Sequence, residues 1–532
     1  MTALKKSILL IFLFNIFIFN KILLSQEVPH PVKNTGVYDF LDELANNRII
    51  EINSAVKPYS RLFISLRLRE ADAKRDLLTT RQQKELDFYL KDFGKEFQPG
   101  KDWKRRTDLF YYKDTLFSLT INPILGGEIF TNSSGTATYW RNGAEARGYI
   151  GKWGFYASLR DNHEDPLLGK PEYLTRREGG HIKNSTDWSD MQGGVTWSWK
   201  WGNIGLVKER VQWGDNYNGA NIFGGNNPTF VQLRLEIKPV KWFDFNYFHG
   251  WLTSMVVDSA NSYWVMNSYG TDYREVYHKK YVAANMFTFV PFKNLNVSFG
   301  NSIIYDDENV NVAYLIPVFF YKSVDHSQTS GINNMNSQMF FNISSRQIRK
   351  VHLYADIFID ELSVSRITNP DEWNFISYKA GIRLTDLPFS NLSFTTEFTY
   401  TYPLTFQHNV PTTTFETAHY NLGHYLRDNA REWYIAFDYR PLRSMDINLF
   451  FIDAIRGPDY NEQGGSRIGN PPLASILWHN TAFGLKASYQ VINDLYTWFS
   501  ASYSNIRGDE RWSPEYFYGK KNTLNFGVTA GF

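Results

Sequence analysis

From about residue 115 onward, apolar and polar positions take turns along the chain. Phe243, Phe245 and Tyr247 alternate with Asp244 and Asn246, and Leu295, Val297 and Phe299 with Asn296, Ser298 and Gly300. The same holds for Val231, Leu233, Leu235 and Ile237 against Gln232, Arg234, Glu236 and Lys238. Further on, Trp433, Ile435, Phe437 and Tyr439 alternate with Glu432, Ala436, Asp438 and Arg440. Met445, Ile447, Leu449 and Phe451 do so with Asp446 and Asn448. A period of two sends successive side chains to opposite faces of a strand. About 18 or 19 such segments of roughly ten residues can be marked, and single-chain bacterial barrels close with even numbers, so the pattern predicts 18 antiparallel strands. Soluble β-sandwiches also alternate, but their strands run about five or six residues. Here the segments are longer, and charged residues such as Arg234 and Glu236 fall mid-strand. Lipid outside a wall and water within accounts for both. In a bilayer every backbone amide needs a partner, so such strands span only as a closed barrel.

The connections fit that reading. Phe292-Lys293 and Pro441-Leu442-Arg443 are short, whereas residues 161–190, 252–277, 403–430 and 455–478 are long and polar. Alternating short and long connections match periplasmic turns and external loops.

Residues 26–112 follow a helical period instead. Thr35 is placed to cap a helix carrying Val37, Phe40, Leu41 and Leu44, and Ser60 follows Pro58 before Phe63 and Leu66. Thr80-Arg81-Gln82-Gln83 reads as a capping box before Leu86, Tyr89, Leu90 and Phe93, with Gly94 as the stop. This predicts about three short amphipathic helices, with Arg61, Arg67, Arg69, Lys74 and Arg75 on a solvated face. Residues 1–25 read as a secretory signal peptide: Lys5 and Lys6 precede an apolar run from Ile8 to Phe19, with cleavage expected at Ser25-Gln26. At the other end, Asn522 to Phe532 alternates and finishes on an aromatic residue, as the assembly signal of outer-membrane barrels does. The expected divisions are therefore 1–25, 26–112 and 113–532, in the cell outer membrane.

Composition sharpens this. Among 532 residues are 41 Phe, 33 Tyr and 16 Trp, yet mean hydropathy is negative. Rings spread among polar residues suit side chains that face lipid on alternate positions. Lys+Arg number 56 and Asp+Glu 54, a formal +2, which leaves no electrostatic footprint for nucleic acid. Cysteine is absent from the sequence. That excludes disulfides, thiolate metal sites, a cysteine nucleophile and a lipoprotein anchor.

Candidate chemistry is sparse. No GxSxG, HExxH, P-loop or post-strand GxGxxG motif occurs, so neither an enzyme nor a cofactor is expected. Asp161-Asn162-His163-Glu164-Asp165 has oxygens suited to a hard cation, but reads as a solvated external loop; Asp509-Glu510-Arg511-Trp512 has the same status. No metal site is assigned. The segment from Lys208 to Gly219 breaks the alternation and gathers charges beside aromatics and glycines. Sugars lie on flat aromatic faces while carboxylates, amides and guanidinium groups fix their hydroxyls. Trp213 and Tyr217 are the expected stacking residues near the external mouth, with Arg210, Asp215 and Asn218 bonding hydroxyls. A structural strand-to-loop corner is the alternative.

The same segment carries a family resemblance. Lys208-Glu209-Arg210-Val211-Gln212-Trp213-Gly214-Asp215-Asn216-Tyr217-Asn218-Gly219, on to Asn227-Pro228-Thr229-Phe230, resembles the signature of the capsule assembly protein Wzi family, which usually has Trp-Gly-Pro-Gly where this chain has Asp215 and Asn216. Phe248-His249-Gly250-Trp251-Leu252, Tyr314-Leu315-Ile316-Pro317 with Phe320-Tyr321, and Leu353-Tyr354-Ala355-Asp356 with Asp360-Glu361-Leu362-Ser363 are similar too. So is the entry from Val37-Tyr38-Asp39-Phe40-Leu41-Asp42-Glu43-Leu44 to Pro58-Tyr59-Ser60-Arg61. The resemblance implies an 18-stranded outer-membrane barrel with a periplasmic helical bundle, acting as a lectin that helps attach capsular polysaccharide. The expected partners are outer-membrane lipid, polysaccharide and other outer-membrane subunits. Rival expectations are a channel for uptake or export and an accessory subunit of a larger secretion or surface-assembly complex.

Overall fold

Backbone pairing turns the alternation into a ring. A computed structural model describes residues 27–97, 103–180, 185–268, 270–328, 334–369, 372–460 and 471–532; the expected signal peptide lies outside them. The first nine strands are β1 (Phe117–Asn132), β2 (Gly135–Ile150), β3 (Trp153–Asp165), β4 (Asp187–Trp199), β5 (Gly202–Glu209), β6 (Phe230–Val240), β7 (Phe243–Val257), β8 (Tyr277–Phe292) and β9 (Leu295–Tyr305). The second nine are β10 (Met335–Ser345), β11 (Val351–Glu361), β12 (Phe375–Thr385), β13 (Leu392–Thr401), β14 (Ala430–Tyr439), β15 (Met445–Arg456), β16 (Trp478–Ile492), β17 (Leu495–Gly508) and β18 (Gly519–Ala530). Each pairs antiparallel with the next, and β18 returns to β1 from Leu524↔Thr131 to Ala530↔Leu125, closing an 18-stranded barrel. A short strand, Phe110–Lys113, prolongs the line of β18 along β1 through Phe110↔Ile121.

The register sorts the two faces. Phe299, Phe341, Phe483, Phe499 and Phe526 stand exposed on the outside, while Asn296, Ser298, Gln338 and Asn342 on neighbouring positions face the lumen and are buried. Strands outlast their expected limits at several loops. The long connections are 166–186, 258–276, 402–429 and 457–477, so Asp161 to Asp165 belong to β3 rather than to a loop. There Glu164 accepts the Leu168 and Gly169 amides (2.9 and 3.0 Å) and Arg177 (2.7 Å), so its carboxylate ties down the loop.

Three helices, α1 (Thr35–Asn46), α2 (Arg61–Asp72) and α3 (Thr80–Phe93), sit at the short-turn end of the ring. Their apolar stripes meet in one core of Phe40, Leu41, Leu44, Ile64, Leu68 and Leu86. Full burial of each such side chain is worth roughly 1.5–3 kcal/mol. Ser60 caps α2 by accepting the Phe63 amide (3.0 Å). The capping box lies one residue earlier than expected: Thr79 accepts the Gln82 amide and Gln82 accepts the Thr79 amide (3.3 and 3.0 Å). Asn34, and not Thr35, precedes α1, and its side chain is committed to Asp494 (3.0 Å) instead of capping. The expected solvated basic face also needs correction. Arg61 is fully buried against Asp92 (3.1 Å) and Glu96 (2.6 Å), because α2 and α3 need a charge-paired contact where they enter the barrel.

The bundle is docked by polar contacts to the short turns. Arg346, between β10 and β11, reaches Asp42 (2.6 Å) and Asn46 (2.7 Å); Asn46 also donates to Thr385 (3.0 Å), and Arg440 reaches Glu43 (3.1 Å). Burial pushes the Asp42 carboxyl up, but Arg346, His352 and Arg383 outweigh it and hold the group well below the usual carboxylate range.

Candidate functional site

The lumen is filled from both ends. After β5 the chain does not rise to an outer mouth; residues 210–229 turn inward. Gln212–Trp213 and Phe223–Gly224 pair with each other and with Val56–Lys57 from the helical region, making a three-stranded sheet inside the barrel (Val56↔Trp213↔Phe223). Gly214, at φ 102°, makes the turn, where an added Cβ would lie 3.1 Å from the Asp356 carboxylate.

This placement decides what the five expected binding residues do. Trp213 is 3% exposed, and its ring packs against Phe223 (5.3 Å between centroids), Phe248 (5.2 Å) and Phe340 (5.9 Å). Asp215 accepts from Ser54 and Asn342 (3.0 Å). Arg210 pairs with Asp190 (2.9 Å) and donates to the Asn227 carbonyl (3.2 Å). Asn218 donates its amide to Glu397 (3.0 Å) and its side chain to Glu432 (2.5 Å), and accepts from Arg176. These four groups hold the loop in place. Tyr217 differs: its hydroxyl meets Asp42 (2.6 Å) and His352 (2.9 Å), Arg383 stands 4.6 Å from its ring, and it also borders an open space. The expected stacking site near the mouth is thus an inward loop, because Val56–Lys57 offers a strand edge and the Phe248–Phe340 wall an apolar seat.

The space beside Tyr217 is a cavity of about 680 Å³. One side is the filling of the lumen, with Gly36 and Asp39 of α1, Glu85 and Tyr89 of α3, and Arg176 to Glu178 of the loop after β3. The other is the inner wall of β14–β18 and β1–β2. That wall offers flat rings and ionic groups side by side: Trp498, Tyr434 and Tyr496 next to Arg141, Asp438 and Lys486. Asn525 orients Trp498 by accepting from its indole (2.9 Å), and Lys486 lies 5.8 Å from the ring. Asn448 donates to Asp438 (2.6 Å), which also pairs with Arg383 (2.7 Å).

Charges on the filling are tuned by burial. Burial pushes Glu85 up to about 7 even though Arg81 lies 2.5 Å away, because that guanidinium is shared with Glu43. Lys33, whose ammonium donates to Asn226 (2.6 Å), is pushed down to about 8. Glu178 goes the other way: Arg160 and Arg210 overcome its burial and hold it well below the carboxylate range.

Most cavity residues escaped the sequence reading because they are ordinary lumen-facing positions of regular strands. One signal was present. In Tyr496-Thr497-Trp498-Phe499 a tryptophan occupies the polar face beside an outward phenylalanine, an apolar residue on the wrong side of the alternation.

No protein-family model and no curated protein sequence matches the chain. Among solved structures it is similar to Wzi, an outer membrane protein involved in group 1 capsule assembly in Escherichia coli and a carbohydrate binding β-barrel. Identity is 12% and the TM-score 0.57, over 93% of this chain and 98% of that one. It is also similar to OccD3 (OpdP) of Pseudomonas aeruginosa, at 10% identity and a TM-score of 0.43, over 77% and 90% of the two chains. OccAB2 of Acinetobacter baumannii gives 8%, 0.43, 77% and 97%. At such identities the likeness is one of fold, a large barrel of the outer-membrane kind.

Proposed function

We propose that this chain is a Wzi-like, non-enzymatic protein of the outer membrane that binds surface or capsular polysaccharide in its lumenal cavity, and so helps attach or assemble it at the cell surface. In this reading the helical bundle faces the periplasm and the long loops the exterior. The observation that carries it is the cavity itself: about 680 Å³, within the roughly 300–1,000 Å³ of ligand sites, with ring faces and paired ionic groups on one wall. Rings offer stacking to a sugar face, and carboxylates and guanidinium groups fix hydroxyls. Trp498 and Tyr434 serve as platforms. Arg141, Lys486 and Asp438 bond hydroxyls or acidic substituents, and Tyr217 is the one residue of the inward loop that reaches the ligand. The volume suits a chain end or a short stretch of glycan. Filling of the lumen from both sides favours a binding barrel over a conduit, so planar bilayers holding the purified protein should lack stable openings. Binding to a glycan array, lost about tenfold in Trp498→Ala while the barrel stays folded, is the expected result. An intact barrel that binds no polysaccharide discards the proposal.

A further inference from the structure

One external connection does not stay at the rim. The segment 306–328 between β9 and β10 folds back over the outside of the barrel, against β7, β8 and β9. Register shows which face it covers. Val282, Ala284 and Met286 of β8 point into the lumen with Trp213, so Asn285 points outward, as do its partners Tyr247 and Asn301. Asn285 lies mid-strand, between the level of the exposed outward Trp251 and the exposed Phe292 at the short turn. Amide side chains at that depth would face hydrocarbon, a costly position.

The segment answers that cost and has its own answered. Asn285 donates to the carbonyls of Pro317 (2.8 Å) and Phe319 (2.9 Å). Asn301 donates to Phe319 (3.3 Å) and to Asn285 (2.8 Å), and accepts the Tyr321 amide (2.9 Å). The Tyr247 hydroxyl donates to the Tyr314 carbonyl (3.0 Å). Irregular backbone is tolerated at membrane depth only where protein satisfies it, and here the outward amides do so. Tyr314 and Tyr321 are fully buried against the wall, with the Tyr314 ring tilted at 4.8 Å from Tyr305 and edge-on at 5.8 Å from Tyr321. The other side of the segment is apolar and open: Val312, Ile316, Val318, Phe319 and Phe320 are exposed, Val318 by 62%. That row continues the exposed outer belt of Phe299 and Phe341.

We infer that residues 312–320 form a membrane-embedded strap, with Asn285 and Asn301 holding its backbone and its Val318–Phe320 face packed in the acyl chains of the outer leaflet. A polar spot on the wall thereby becomes a lipid-facing surface. The absence of cysteine from the sequence makes the test direct. Single Val312→Cys, Val318→Cys and Phe320→Cys variants alter only exposed positions. Each is labelled with a nitroxide in native membranes beside two references, Phe341→Cys in the belt and Ser133→Cys in the exposed Ser133–Ser134 turn. Relaxation by dissolved oxygen and by a water-soluble nickel chelate is then compared. The strap sites should match Phe341, with oxygen access high and chelate access several-fold below that at Ser133. Chelate access like that at Ser133 would overturn the strap. So would exclusion of both relaxers, which would mean that a protein subunit covers it. A Phe341 label that itself behaves as wet would instead strike at the membrane reading of the whole barrel.

Discussion

The two halves of the lumen are built on one ring yet differ in kind. Against β6–β11, the inward loop and the 402–429 loop make a dry core: Trp213, Phe223, Phe248, Phe340, Phe358, Phe406 and Phe415 belong to a single buried cluster. Against β14–β18 and β1–β2 the inner wall carries Lys486, Ser488, Gln490, Asp438 and Asn525, and a cavity remains. Outside, both halves present the same exposed aromatic belt. The outward face is thus of one kind all round, while the inward face reports what fills the barrel. Polar inward positions occur in both halves: Asn342 and Glu397 are buried because the inward loop bonds to them, whereas Lys486 and Asn525 border open space.

That contrast can be broken on purpose. The largest effect belongs to the dry side, where Trp213→Ala leaves a large void that neither Phe248 nor Phe340 can close. A loss of roughly 3–5 kcal/mol is expected, read as a lower urea midpoint in micelles and protease sensitivity of the 210–229 loop. Next is the joint between the filling and the ring. Arg346→Ala removes the cation from the part-buried Asp42 carboxylate, which keeps Tyr217, and the loss should stay below the roughly 3–5 kcal/mol of a fully buried pair. The bundle should then become cleavable by protease, and planar bilayers should register openings absent from the parent. Conversion of both Arg346 and Asp42 to neutral residues should recover much of that loss.

Titration sharpens the wet side. Glu85 borders the cavity with its carboxyl group raised to about 7 by burial. A raised carboxyl favours the folded protein most at low pH, and that advantage is lost as pH rises through the folded value. Stability should therefore fall as pH rises from about 4.5 to about 7, by about 1–3 kcal/mol in all, and Glu85→Gln should flatten the fall. An unchanged slope in that variant would show that Glu85 stays ionised throughout. The smallest effect on stability is expected of Trp498→Ala, under about 1 kcal/mol because the ring lies on a cavity that already exists. If Trp498→Ala destabilised as much as Trp213→Ala, the two halves would not differ as described.

How far the chain announces all this depends on the range of the interactions. Strand number, the helical start and the outward belt come from local periodicity, and the sequence carries them. The capping box was displaced by one residue because Thr79 and Thr80 are equivalent in sequence, and only the chain entry angle chooses between them. The segment from Lys208 to Gly219 stood out through its broken alternation. Its inward course did not, because the edge it pairs with, Val56–Lys57, lies far off in the chain. Arg61 read as solvated since nothing local shows that Asp92 and Glu96 will enclose it. The stretch from Tyr314 to Tyr321 was visible as a motif, but its seat on Asn285 and Asn301 needs the register of strands it does not belong to.

The sheet that joins Val56–Lys57 to residues 212–213 and 223–224 also makes the molecule a single mechanical piece from its helices to its long loops. The loop carrying Arg176 touches Asn218, Tyr217 touches Asp42 on α1, and backbone pairs bridge the space between. A pull on the loop after β3 would be carried as shear along those pairs into the helices beneath, so the load is borne by the whole ring rather than by one loop.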